Sequence, residues 1–141
     1  MFRHSQSSFK KTAIRSVTGA AQDPALYALV QAWRSQGHLL SDLDPLGIRR
    51  RGEATPELLP ASYGLSEEDE REIPCGLLDM GKSRATVQEV LQHLRRSYAG
   101  SIGAELSHLP TSEERDWLTQ QLESVKPLTP AQRRNAFVTL M

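Results

Sequence analysis

The sequence predicts a mainly α fold: four to five helices with a long irregular loop between the first and the rest. Three observations carry that expectation. Apolar residues recur at helical spacing in successive windows, a capping residue stands just before each window, and no stretch alternates strongly enough to read as a strand. Ile102 to Leu109 is the one weak candidate for extended structure, and no internal repeat is present.

Residues 1–22 hold Arg3, Lys10, Lys11 and Arg15, five serines or threonines before Val17, and no acidic residue before Asp23. This reads as a basic flexible tail, with an organelle transit peptide as the alternative source of the same bias. Asp23-Pro24 then supplies an N-cap and a first-turn proline, and Leu26, Leu29, Val30 and Trp33 fall on one helical face before Gly37 closes the pattern. From Gly37 to Pro60 the glycines, prolines and the run Arg49 to Arg51 rule out helix or sheet, so a loop or arm is expected. Ser66 with Glu67, Glu68 and Asp69 predicts a short acidic helix stopped by Pro74.

Thr86 and Glu89 form a capping-box pair ahead of a stripe of Val87, Val90, Leu91, Leu94 and Tyr98, ended by Gly100. Thr111 and Glu114 cap a helix carrying Trp117, Leu118, Leu122 and Val125. Thr129-Pro130, with Gln132 in the capping-box position, begins a last helix with Ala136, Phe137, Leu140 and Met141 as its apolar residues. Trp33, Trp117 and Phe137 are the expected core anchors on their helices. Stopping on Leu140-Met141 leaves an apolar face that further chain would normally cover, so an exposed apolar surface is expected.

Composition narrows the function classes. A length of 141 residues suits one domain, and the 38% apolar share predicts a thin or incomplete core. Seventeen basic and seventeen acidic residues cancel, which removes a global field for nucleic acid or an anionic membrane. One cysteine, Cys75, cannot form an internal disulfide, and with four scattered histidines it gives no metal-ligand spacing. No apolar run approaches the roughly 20 residues that span a bilayer. A soluble protein of a reducing, cytoplasmic compartment is expected, or of the mitochondrial matrix if the basic start is a transit peptide.

The run Ala32-Trp33-Arg34-Ser35-Gln36-Gly37-His38, followed by Leu39-Leu40-Ser41-Asp42-Leu43-Asp44-Pro45-Leu46-Gly47, resembles a helix end and loop of the first, decarboxylating component of 2-oxoglutarate dehydrogenase. Pro60 to Asp69, Leu94 to Glu105 and Glu113 to Glu123 match further blocks of that family in the same order, so the resemblance covers about residues 24–140. Trp33 stands where tyrosine is usual and Ala99 where cysteine is frequent, and Ile73 to Lys82 matches poorly. The resemblance implies an enzyme that uses thiamine diphosphate and magnesium to decarboxylate 2-oxoglutarate and pass the succinyl group to a lipoyl carrier, in the tricarboxylic acid cycle. It also implies that this segment precedes the thiamine-binding domains and packs beside them, so that its partners are the remaining domains or subunits of the complex.

The chain has no Gly-Asp-Gly diphosphate motif, so no cofactor or metal is expected on it and no catalytic residue is assigned. Two readings remain: a fragment or truncated form of that enzyme, itself structural, or a stand-alone helical interaction module derived from the family. Five residues are candidates for lying near the family's active site or an interface. His38, beside Asp42 and Asp44, could have its imidazole oriented by a carboxylate, although helix-end and loop bonding is the simpler use of all three. Glu105 and His108 lie in a glycine-punctuated connector that by resemblance runs close to the catalytic domain, with packing the simpler role. Arg49 to Arg51 read as a solvated loop, and no aromatic interleaving supports nucleic-acid binding.

Overall fold

Asp23 caps the first helix as its side-chain chemistry predicts: its carboxylate accepts from the Ala25 N–H at 2.9 Å, with Pro24 at the first helical position. The computed structural model describes residues 23–48, 52–126 and 128–139, together with the backbone but not the side chain of Phe137. The expectations for residues 1–22, for Arg49 to Arg51 and for Leu140-Met141 lie outside them. Helix α1 (Pro24–Gln36) buries Leu26, Leu29, Val30 and Trp33, the stripe read from the sequence.

Gly37, just past α1, has an ordinary right-handed backbone (φ −56°, ψ −31°), so its lack of a side chain serves space rather than conformation. A Cβ there would lie 2.7 Å from Tyr98 Cβ and 3.1 Å from the Trp33 ring. Both neighbours are rigid parts of buried side chains. Gly37→Ala should therefore destabilise the fold by about 1–3 kcal/mol through overpacking, which outweighs the roughly 0.4–1 kcal/mol that reduced unfolded-state entropy returns. Urea denaturation measures the difference; a more stable alanine variant would contradict the close approach.

The second half of the core is α2 (Val87–Tyr98). Its capping box forms in full: Thr86 Oγ1 accepts from the Glu89 N–H at 3.3 Å, and Glu89 Oε2 accepts from the Thr86 N–H at 3.0 Å. Val87, Val90, Leu91, Leu94 and Tyr98 are all buried. The long loop wraps this helix pair with three single helical turns, Gly37–Leu40, Pro56–Leu58 and Pro60–Tyr63. Leu58 enters the core, and its carbonyl accepts from Trp33 Nε1 at 3.1 Å, which satisfies the buried indole.

Two sequence expectations fail outside these helices. The acidic helix at Ser66 does not form: Ser66 Oγ accepts from the Glu68 N–H at 3.2 Å and Asp69 Oδ1 from the Arg71 N–H at 2.9 Å, so side chains take the amides that a helix needs. Residues 66–72 are exposed throughout, so no buried face supports a helix there either. Nor is Ile102 to Leu109 a strand. The described residues instead contain a two-residue antiparallel pair, β1 (Ile73–Pro74) with β2 (Arg84–Ala85), in the register Ile73 to Ala85. Ile73, Cys75, Leu78 and Ala85 carry this hairpin into the core beside α2.

Helix α3 (Ser112–Ser124) is capped by Thr111, whose hydroxyl accepts from the Glu114 N–H at 3.3 Å. It covers the core incompletely: Leu122 packs against it, Leu118 is half-buried, and Trp117 is 52% exposed. The expected anchoring by Trp117 is thus not found, because Glu123 rather than the tryptophan occupies the buried contact of α3. Helix α4 (Pro130–Thr139) begins with reciprocal Thr129–Gln132 bonds of 2.8 and 3.3 Å and exposes every described side chain. The architecture is mainly α, four helices among the described residues, with the core between α1, α2 and the wrapping loop.

Candidate functional site

The most constructed polar arrangement lies where α1, α2 and α3 meet. Arg34 projects from the last turn of α1 and makes a two-pronged contact with Glu123 of α3, Nε to Oε1 at 2.8 Å and Nη2 to Oε2 at 3.0 Å. Its Nη2 also donates to the Leu77 carbonyl at 3.1 Å, and Tyr98 of α2 donates its hydroxyl to Glu123 Oε1 at 2.8 Å. Glu123 is only 3% exposed. Burial acts against the charge of Arg34, but the bonds and field of Glu123 outweigh it and hold the guanidinium pKa above its ordinary value. Burial, followed by the adjacent carboxylate, pushes the Tyr98 hydroxyl far above the usual phenol range, so it acts only as a donor. Glu123 takes both prongs of the arginine and the tyrosine hydroxyl, which joins the three helices and makes the group a clamp.

The sequence candidates fall into two sets. His38, Asp42 and Asp44 share the loop after α1, which lies against the connector after α2: the Asp42 N–H donates to the Gly100 carbonyl at 2.9 Å, and Ser41 Oγ donates to the carbonyls of Tyr98 at 3.1 Å and Ile102 at 3.4 Å. Gly103 belongs to the same seam, since a Cβ there would stand 3.2 Å from Ser41 Oγ. Asp44 Oδ1 accepts from the Leu46 N–H at 3.0 Å, the local loop bonding open to an aspartate in a turn. His38 is half-buried, and its Nδ1 is enclosed without a partner among the described residues. Glu105 and His108 are exposed on the connector.

Among the described residues no group of three or more His, Cys, Asp or Glu is arranged to hold a metal ion. A magnesium-bound diphosphate needs several oxygen ligands together with amide donors, and neither candidate set supplies them. Cys75 is fully buried, and burial raises its thiol pKa, so it is held in the unreactive protonated form. No described helix is long and apolar enough to cross a membrane.

Sequence reasoning does not single out the clamp residues. Each lies inside a block that carries the family resemblance, but none has a neighbour along the chain that marks its partner. What the fold and its polar centre define is a helical framework with an ionic clamp at its middle.

Comparison with known proteins gives that framework its family. No family model matches the chain. A 2-oxoglutarate dehydrogenase E1 component from Azotobacter vinelandii is 44% identical over 99 residues, covering 70% of this chain. The protein of the same name from Brucella anthropi is 36% identical over 111 residues, or 76% of this chain, and the Brucella ovis one matches equally. The chain belongs to the 2-oxoglutarate dehydrogenase E1 family, and it spans about a tenth of the length of these relatives: 10% of the Azotobacter protein and 11% of the Brucella ones.

Proposed function

We propose that this chain serves as a framework segment of a 2-oxoglutarate dehydrogenase E1 component, cytoplasmic like a soluble bacterial enzyme, with the remaining E1 domains or subunits as its partners. The observation that carries this reading is the match to one tenth of the relatives' length by a unit whose polar centre holds helices together. Decarboxylation of 2-oxoglutarate, with thiamine diphosphate and magnesium supplying the carbanion chemistry, belongs in this reading to the rest of the enzyme. The chain's own contribution is to present a fixed surface beside it. Leu43, Leu46 and Ile48 of the loop and Ile102 of the connector are 66–79% exposed on segments that are bonded to one another through Ser41 and Asp42, so they are side chains for such a contact.

A complementation assay tests this. The full chain is added to an Azotobacter vinelandii E1 lacking its matching segment, and 2-oxoglutarate decarboxylation should recover; a stable, correctly folded chain that neither binds nor restores that enzyme overturns the proposal. Separately, calorimetric titration of the chain with thiamine diphosphate and magnesium should give no saturable heat, and micromolar binding would place the cofactor site here instead. The second reading, a stand-alone interaction module, draws on the closure of the α1–α2 core without further domains. It is distinguished by failure of complementation together with full cooperative folding.

A further inference from the structure

We propose that the ground beneath α3 is a proton-operated latch centred on His93: α3 stays seated while this imidazole is neutral, and protonating it opens the seam between α2 and α3. His93 is 5% exposed on α2, and its Nδ1 lies 3.0 Å from Arg96 Nη2. A guanidinium can only donate, so Nδ1 accepts and the ring's single proton resides on Nε2. That Nε2 is buried without a partner among the described residues, and so is Ser97 Oγ one helical turn further on. A second proton would have to enter at Nδ1, where it breaks the bond to Arg96 and sets two positive charges against each other.

The charged groups acting on the ring come from three elements: Arg96 on its own helix, Glu123 from α3, and Asp79 from the segment between β1 and β2. Glu123 is already engaged by Arg34 of α1 and by Tyr98, so it cannot move to a charged His93 without breaking the clamp. Burial, followed by Arg96, holds the imidazole pKa below its ordinary value despite the opposing pull of Glu123 and Asp79. The folded value therefore lies below the unfolded one. The neutral ring's contribution is complete above the unfolded imidazole pKa of about 6.5 and is lost as pH falls from there through the folded value. Opening falls on α3 because Glu123 is its one fully buried described side chain, whereas α2 is held by a continuous apolar stripe.

Hydrogen exchange on the full chain, corrected for intrinsic rates, reads the latch. Protection of the amides of residues 116–124 should hold from about pH 7.5 to about pH 6.5 and then fall by up to about tenfold per pH unit, one proton's worth of linkage, while residues 90–98 hold theirs. His93→Gln should flatten that dependence, and an unchanged dependence in this variant overturns the proposal. Should the glutamine variant not fold, the imidazole resonances of His93 in the unaltered chain decide. Their titration midpoint must coincide with the loss of α3 protection, and separated midpoints, or a ring that titrates with α3 still protected, refute the latch.

Discussion

Replacing Glu123 with alanine should destabilise the chain by about 3 kcal/mol, read as a lower urea midpoint with an unchanged slope. Removing one partner of a buried ion pair costs roughly 3–5 kcal/mol, because the other charge is left desolvated. Arg34 retains 20% side-chain exposure, and the solvation available to it sets the expectation at the low end of that range. Tyr98 loses its acceptor at the same time, and its hydroxyl is left buried. The double replacement Arg34→Met with Glu123→Leu should recover most of the loss, since it removes both charges and fills their space with apolar atoms. A Glu123→Ala variant within about 0.5 kcal/mol of the parent, as expected for a surface change, would mean that the clamp is not closed in solution.

Trp33→Ala should have a comparable or larger effect, about 3–5 kcal/mol, enough to unfold a domain of ordinary stability. The indole is 2% exposed at the centre of the core, touches the turn at Gly37 and donates to the Leu58 carbonyl. Its removal leaves a cavity between α1, the wrapping loop and α2, and it orphans a carbonyl. Trp33→Phe should cost less but still measurably, because it keeps a ring in place and loses only the donor and part of the volume. Thermal unfolding followed by far-ultraviolet circular dichroism separates the two. If the alanine variant melts with the parent, Trp33 does not occupy the core.

Legibility in the sequence depends on the range over which each signal acts. The α1 and α2 stripes are local: Leu26 to Trp33 and Val87 to Tyr98 repeat at the helical period, and Asp23 and Thr86 bond within three residues, so sequence alone locates both helices. The β1–β2 pair is two residues per strand, too short for an alternating pattern to register. The acidic segment after Ser66 carries good helix-start chemistry but no apolar stripe, and turn bonds prevail. Trp117 misleads because an apolar position on a helix says which face is greasy, not whether anything covers it. The clamp is out of reach, since nothing near Arg34 in the chain announces its carboxylate. The candidate residues His38, Asp42 and Asp44 lie on one loop, while Glu105 and His108 sit exposed on the connector.

The clamp closes late in biosynthesis. Arg34 and Glu123 are separated by 89 positions. At about 5–20 residues per second, the arginine is therefore synthesised roughly 4–18 s before its carboxylate. Throughout that interval Arg34 has no carboxylate to close on, and the seat of the third helix stays open to chaperones and to premature self-association on the translating ribosome.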